Sequence, residues 1–159
     1  MPDFARLLRG PTTDSGDARV IVERLVSPAA LAALAPALRA IRPPGGRTIG
    51  VVCALARCFD GEIREAAALA GRLFDRLLLA EDDAAGLRPP GQVLGLLTAG
   101  VLAAGVPLSH IVCLSSEADA VAGALAIARA GDLVVVLSPD PVRVRAQLSP
   151  EAGAHAQAV

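Results

Sequence analysis

The sequence predicts an α/β fold in which a mostly parallel sheet of five or six strands is flanked by helices. Short runs of apolar residues recur along the chain, such as 48–54 (TIGVVCA) and 133–138 (LVVVLS), which is typical of parallel strands covered on both faces. Segments with helical periodicity separate these runs, and such alternation favours parallel strands joined by helical crossovers. The length of 159 residues fits one domain that buries a core of its own.

Each predicted element rests on a local signal in the sequence. Five segments have the apolar composition of buried strands: 19–26, 48–54, 75–80, 110–114 and 133–138. Five segments have helical periodicity or a helix-start signal: 29–41, 61–73, 92–104, 115–130 and 139–148. We expect these elements to form a single three-layer, Rossmann-like domain over 19–148. An N-terminal extension or hairpin over 1–18 and a flexible tail over 149–159 complete the chain.

Capping residues set the predicted helix boundaries. Ser27-Pro28 suits a helix start, because Ser accepts a hydrogen bond from the first turn and Pro is well placed within it. Asp60 is the expected N-cap of the helix over 61–73, with Glu62 favourable beside the helix N-terminus. Ser115 or Ser116 is expected to cap the next-to-last helix, and Pro139 to open the last one.

Composition excludes several classes of function. All 15 basic residues are Arg, so Schiff-base chemistry and a phosphate-loop Lys are impossible. A net charge of −1 and only three aromatic residues, all Phe, argue against nucleic-acid binding. Residues 89–116 carry no charge but contain turn residues, so we predict a buried helix, a turn and a buried strand rather than a membrane span. With no signal peptide visible, the expected location is cytoplasmic.

Cysteine and histidine do not form a recognisable site. The three cysteines are irregularly spaced, which does not indicate a disulfide framework. Cys53 and Cys113 lie in apolar runs and are expected in the core, whereas Cys58 lies in a predicted loop. The two histidines have no ligand-like neighbours, and no metal site is expected. The sequence also lacks the phosphate-loop, GxGxxG, GxSxG and HExxH motifs, so a self-contained enzyme of a common mechanism is hard to assemble.

The chemistry that remains lies in loops that follow the strands. Parallel strands bring their carboxyl ends to one edge of the sheet, called the carboxyl edge below, where ligands bind in such folds. The candidate binding residues in these loops are Arg57, Asp60, Glu81, Asp82, Asp83 and Arg88. Asp140 follows the last strand. Carboxylates there suit Mg²⁺ or an amine, and Arg suits phosphate or carboxylate. The alternative for each residue is a helix cap or a solvated turn. No catalytic residue is assigned.

Three stretches in order carry a resemblance to a known family. They are GRTIGVV, EIREAAALAGRLFDRLLLAEDD with the following Leu-Arg, and EADAVAGALAIARAGDLVVVLSPD. Together they are similar to the C-terminal domain of the Mur ligase family of ATP-dependent amide ligases, and within that family to cyanophycin synthetases. The similarity extends over about 19–148.

The resemblance implies a module of an acid–amino acid ligase that is incomplete by itself. In the family, a central domain binds ATP, and the C-terminal domain closes over it to bring the amino acid to an acyl phosphate. Cyanophycin synthetases join Arg to Asp side chains in this way. ATP and Mg²⁺ are thus implied cofactors, which this chain is not expected to hold alone. The implied partner is a protein or domain that supplies the ATP site, and a homodimer is conceivable.

The sequence also departs from the family pattern. Where the first strand of the family ends in Asp-Tyr-Ala-His-Asn-Pro, this chain has Glu-Arg-Leu-Val-Ser-Pro over 23–28. The Arg-rich loop after the second strand keeps one residue, Arg57. These departures favour a second hypothesis, a non-catalytic binding or interaction module that kept the fold. A stand-alone small-molecule enzyme of another class is a third.

Overall fold

The computed structural model describes residues 18–25, 27–53, 57–81 and 88–149. The predicted N-terminal extension or hairpin, except Ala18, lies outside these residues, as does the predicted tail beyond Ser149. The strands are β1 (Arg19–Arg24), β2 (Thr48–Cys53), β3 (Arg76–Ala80), β4 (Ile111–Leu114) and β5 (Leu133–Ser138). The helices are α1 (Pro28–Ala40), α2 (Asp60–Leu73), α3 (Gln92–Ala103), α4 (Glu117–Ile127) and α5 (Pro141–Leu148).

The five strands form one sheet in the order β1-β5-β2-β3-β4, and every pairing is parallel. One apolar layer packs α1, α2 and α3 against one face of the sheet. A second, smaller layer packs α4 and α5 against the other face. The predicted three-layer α/β architecture with a parallel sheet is therefore confirmed. Strands β2 and β5 are buried along their whole length, as their uninterrupted apolar sequences predicted.

Strand β4 corrects one prediction about the core. It is an edge strand, so only β3 pairs with it, and its residues are partly or fully exposed. Cys113 is exposed, and the side chain of Val112 keeps 45% of its surface in solvent. The expectation that Cys113 is a core residue and that this strand is buried is wrong, because β4 lies at the edge of the sheet and the described helices leave Val112 and Cys113 exposed. Cys53, in the central strand β2, is buried as predicted.

Four of the five helix starts differ from the prediction by one or two residues, and two of these differences change the role of a named residue. Helix α2 begins at Asp60, with Phe59 as its N-cap, and the Glu62 carboxylate accepts a hydrogen bond of 2.8 Å from the Phe59 N–H. Asp60 is therefore not the cap. Helix α5 begins at Pro141, and the Asp140 side chain caps it rather than Pro139 opening it. The Asp140 carboxylate accepts a hydrogen bond of 3.1 Å from the Arg143 N–H, whereas the side chain of Phe59 has no group that could cap a helix.

Asp132 links strands at the opposite edge of the sheet, where the strands begin. This edge is called the amino edge below. Its carboxylate accepts hydrogen bonds from the Arg47 N–H (2.9 Å), the Arg47 side chain (2.6 and 3.1 Å) and the Arg129 N–H (2.9 Å). Burial alone would raise the pKa of Asp132, but these hydrogen bonds outweigh burial and lower the pKa from 3.8 to about 2. The same hydrogen bond raises the pKa of Arg47. This ion pair joins the starts of β2 and β5.

Asp75 performs a similar task between β2 and β3. Its carboxylate accepts hydrogen bonds from the Thr48 N–H (2.8 Å) and hydroxyl (2.9 Å), and an ion pair of 2.7 Å from Arg42. Burial would raise the pKa of Asp75, yet the hydrogen bonds from Thr48 and Arg42 lower it on balance. Two aspartates therefore hold the starts of the three central strands.

Candidate functional site

An ion pair between Arg88 and Asp60 ties together two loops at the carboxyl edge. One guanidinium nitrogen of Arg88 donates to the Asp60 carboxylate at 2.6 Å, and a second donates to the Cys58 carbonyl at 2.6 Å. Asp60 and Cys58 follow β2, whereas Arg88 follows β3. The predicted meeting of these loops at a common edge is therefore confirmed for Asp60 and Arg88. The side chain of Arg88 keeps only 16% of its surface in solvent, against 49% for Asp60.

Glu81 is positioned to cap a helix. It follows β3, and its two carboxylate oxygens accept hydrogen bonds from the N–H groups of Gly91 (3.0 Å) and Leu94 (3.2 Å). The N-cap of α3 is Gly91, which has φ +82° and no side chain to accept such bonds. Glu81 supplies that function from another part of the chain, and its negative charge also suits the helix N-terminus. For Glu81, the capping alternative considered from the sequence accounts for both oxygens.

The remaining candidates divide into two groups. Arg57 is described and exposed, one residue before Cys58, so it lies beside the Arg88–Asp60 pair. Asp82 and Asp83 lie outside the described residues, and their membership of the site stays a prediction. Arg57 and Asp60 are thus the described candidates that are exposed to solvent at this edge.

A second ion pair at the carboxyl edge was not predicted. Glu117 opens α4, and its Oε1 accepts a hydrogen bond of 2.7 Å from Arg143 of α5. Glu117 is 5% exposed, and in the described part of the chain its Oε2 is buried without a hydrogen-bond partner. The sequence marked Glu117 only as an acidic helix start. Nothing local indicates an interaction between two residues that are 26 positions apart.

The thiol of Cys58 lies in the same loop as Arg57. Burial, followed by the negative charge of Glu62, raises the pKa of Cys58, and Arg88 offsets part of this effect. A raised pKa keeps the thiol protonated near neutral pH and makes it a weaker nucleophile. The environment of Cys58 therefore favours a structural role over nucleophilic catalysis.

The described residues do not by themselves make a nucleotide or metal site. Among residues 18–25, 27–53, 57–81 and 88–149, no group of three His, Cys, Asp or Glu side chains could hold a metal ion. The described arginines at the carboxyl edge have the chemistry to meet a phosphate or carboxylate. The carboxylates of Asp60 and Glu81 are already engaged. Within these same residues, no helix combines the length and the apolar character needed to cross a membrane.

Solved structures with the same fold include several amide ligases. E. coli FolC in complex with ADP, without folate substrate, is 24% identical, has a TM-score of 0.62, and is matched over 86% of this chain and 30% of that one. A UDP-N-acetylmuramoyl-L-alanyl-D-glutamate–2,6-diaminopimelate ligase is 15% identical, with a TM-score of 0.67 over 89% of this chain and 30% of that one.

A third match is a separate domain of comparable size. It comes from a putative UDP-N-acetylmuramate:L-alanyl-γ-D-glutamyl-meso-diaminopimelate ligase of Haemophilus ducreyi 35000HP. It is 17% identical, with a TM-score of 0.57 over 92% of this chain and 95% of that one. No protein-family model and no curated protein sequence matches this chain. The chain spans about a third of the two ligases above, and its fold is that of the C-terminal domains of Mur-type and FolC-type ligases.

Proposed function

We propose that this chain is the C-terminal, substrate-closing module of an ATP-dependent acid–amino acid ligase whose ATP site lies on another domain or protein. The observation that carries the proposal is the agreement of fold with such ligases over 86 to 92% of this chain. The sequence resemblance to the same family supports it independently. The lack of Lys in the sequence, and hence of a phosphate-loop Lys, requires the partner to bind ATP.

The carboxyl edge supplies the chemistry that such a module needs. Arg57 is exposed there and suits an anionic group, either a phosphate of the nucleotide bound by the partner or the carboxylate of the incoming amino acid. The Arg88–Asp60 pair fixes the loop on which Arg57 lies. ATP and Mg²⁺, when bound by the partner, would activate the acceptor carboxylate as an acyl phosphate. The role of this chain is then to orient the amine and exclude water.

Within that class, we propose arginine as the incoming amino acid and an aspartate side chain as the acceptor. The support is the sequence resemblance to cyanophycin synthetases, including the Glu81-Asp82-Asp83 turn and Arg88. The acidic residues 81–83 would favour a cationic substrate by charge. This finer assignment concerns substrate choice alone, so it can fail while the ligase role stands.

The test is a reconstitution with a ligase core from the same genome that lacks this domain. The core is mixed with MgATP and an aspartate-containing acceptor peptide, with arginine, lysine or glutamate added separately, and phosphate release is measured with and without this chain. We expect at least tenfold stimulation, largest with arginine. Arg57→Ala should remove most of it, whereas Arg72→Ala, an exposed arginine in the last turn of α2, should not.

The results separate the claims. Stimulation that is equal for all amino acids would reject the arginine assignment and keep the ligase role. A lack of stimulation with every candidate core would count against the ligase role. If Arg57→Ala and Arg72→Ala reduce the stimulation of phosphate release equally, the carboxyl edge is not the surface that acts in the ligase reaction.

A second candidate function is a non-catalytic binding module with the same fold. The observation that favours it is that Asp60, Glu81 and Arg88 are all engaged in hydrogen bonds within the chain. The altered segment 23–28, at the end of β1, points the same way. Calorimetry of the whole chain with MgATP, arginine and acidic dipeptides discriminates between the two. Binding of any of these at the carboxyl edge supports the ligase role. Titrations of all three that release or absorb no heat support a protein ligand.

A further inference from the structure

A cavity lies at the amino edge, where the strands begin. The proposed ligase surface lies at the other end of the strands. The volume of the cavity is about 430 Å³, and it is bounded by the starts of β3 and β4 and by the end of α4. Its lining includes Arg47, Arg76, His110, Val112, Ile127 and Arg129. This volume falls within the range of about 300–1,000 Å³ that is usual for small-molecule sites. The function proposed above does not use it.

The charges around this cavity are positive. Among the described residues that line it, none is acidic. The charge of Arg47 is balanced by Asp132 at 2.6 Å. Arg76 donates to the neutral carbonyl of Ser109 at 2.6 Å, and no carboxylate of the described residues forms an ion pair with it. Arg129 is exposed, and only its backbone N–H bonds to Asp132.

The end of α4 does not cancel this positive charge. The last carbonyls of a helix carry a partial negative charge. Here the Ile127 carbonyl, in the last turn of α4, accepts a hydrogen bond of 2.8 Å from the side chain of Arg47. This hydrogen bond occupies the Ile127 carbonyl at the helix end. Arg76 and Arg129 remain as the cationic groups of the cavity.

The same cavity has an apolar part. Val112 is 45% exposed and Ile127 is 40% exposed, and both belong to the small set of large apolar side chains exposed in the described residues. Val112 lies on the edge strand β4, and Ile127 is the last residue of α4. An exposed apolar surface beside fixed polar groups is the usual composition of a ligand pocket.

We propose that this cavity binds a small organic anion with an apolar body, namely an alkyl or aryl carboxylate or phosphate ester. The apolar body would cover Val112 and Ile127, and the anionic group would meet Arg76 and Arg129. A guanidinium binds carboxylate and phosphate by the same two-pronged geometry, so the chemistry is shared between these two classes. A second copy of this chain is a poor occupant, because two like-charged cavities placed face to face would repel.

The test is a titration of the ¹⁵N-labelled full chain, followed by amide NMR, with octanoate and octyl phosphate as the probes. We expect saturable shifts that cluster at His110, Val112 and 126–129, and a preference between the two probes will identify the anion class. Octanol should bind at least tenfold more weakly, because it lacks the charge. Arg129→Ala should weaken probe binding about tenfold, and the NMR spectrum verifies that the variant is folded.

The matched control is Arg72→Ala, which removes the same exposed charge from α2, outside the cavity lining. It should leave the affinity within twofold. Equal weakening by both variants would show a general charge effect and overturn the site. Shifts confined to the carboxyl edge would overturn it as well. Binding of a glutamate-rich peptide in the absence of any binding of the two probes would replace the small anion with a protein ligand and reject the proposal.

Discussion

The two edges of the sheet use Arg–Asp pairs for different purposes. At the amino edge, Asp132 is 5% exposed, and it accepts hydrogen bonds from the backbone as well as from Arg47. At the carboxyl edge, Asp60 keeps half of its side-chain surface in solvent, and within the described residues its carboxylate pairs with Arg88. A buried carboxylate that binds backbone N–H groups fixes strands, whereas an exposed pair contributes little stability. The framework is therefore secured at one edge, and the other edge keeps its surface groups accessible.

The largest expected effect tests this contrast directly. Asp132→Asn removes the negative charge that pairs with Arg47. It also replaces one of the two accepting carboxylate oxygens with an NH₂ group, which cannot accept the hydrogen bonds made there. We expect a loss of about 3 kcal/mol in the free energy of unfolding, measured by urea denaturation. Asp60→Asn is the matched change at the carboxyl edge and should cost less than about 1 kcal/mol. Similar costs for both variants would remove the distinction between the edges.

The pH dependence of stability gives the second test. The pKa of Asp132 is lowered from 3.8 to about 2, so the folded state is stabilised above pH 3.8, and this contribution is lost as pH falls toward 2. The difference corresponds to about 2 kcal/mol. We therefore expect the difference in the free energy of unfolding between the wild-type chain and Asp132→Asn to decrease by about that amount from pH 5 to pH 2. Urea denaturation at several pH values measures this difference. A difference in the free energy of unfolding that stays constant with pH would mean that ionised Asp132 does not stabilise this edge.

The third test asks whether packing beneath the carboxyl edge, rather than its ion pair, holds the loops in place. Helices α2 and α3, which adjoin Asp60 and Arg88, approach closely at Gly100. A Cβ there would clash with the Arg64 carbonyl and lie 2.7 Å from the Ala67 Cβ. Gly100→Ala should cost about 2 kcal/mol by thermal or urea unfolding. Its effect should exceed that of Asp60→Asn.

Gly95 provides the control for this substitution in the same helix. A Cβ at Gly95 meets nothing within 4 Å, and Ala is the better helix former. Gly95→Ala should therefore raise the free energy of unfolding by about 0.5–1 kcal/mol. If Gly95→Ala and Gly100→Ala instead lower the free energy of unfolding by similar amounts, any methyl group added to α3 destabilises the protein, whether or not it meets α2.

The sequence predicted the framework well because its signals are local. Apolar runs located all five strands, and Ser27 and Ser116 cap helices as expected. Cys113 was misplaced because composition does not reveal which strand lies at the edge of a sheet. That position depends on strand order, which emerges only when distant segments pair.

The polar contacts were harder to predict because they join distant residues. Arg47 and Asp132 are 85 positions apart, and Arg88 and Asp60 are 28 apart. The sequence placed Arg88 and Asp60 at the same edge because each follows a parallel strand. It gave no indication that they bond to each other. Glu81 shows a related limit, since its partner is a helix whose own N-cap is a glycine without a side chain.

The strand order has a consequence for the synthesis of this protein. Strand β5 is the last to leave the ribosome, yet it lies between β1 and β2. While β2, β3 and β4 can pair as they emerge, β1 meets its neighbour among the described strands only when 133–138 has been made. Pairing of β1 must therefore wait for the last of the five described strands, and such long-range closure is the slow step in folding of this kind. Translation that halts before β5 would leave β1 without a backbone partner and open to capture by chaperones.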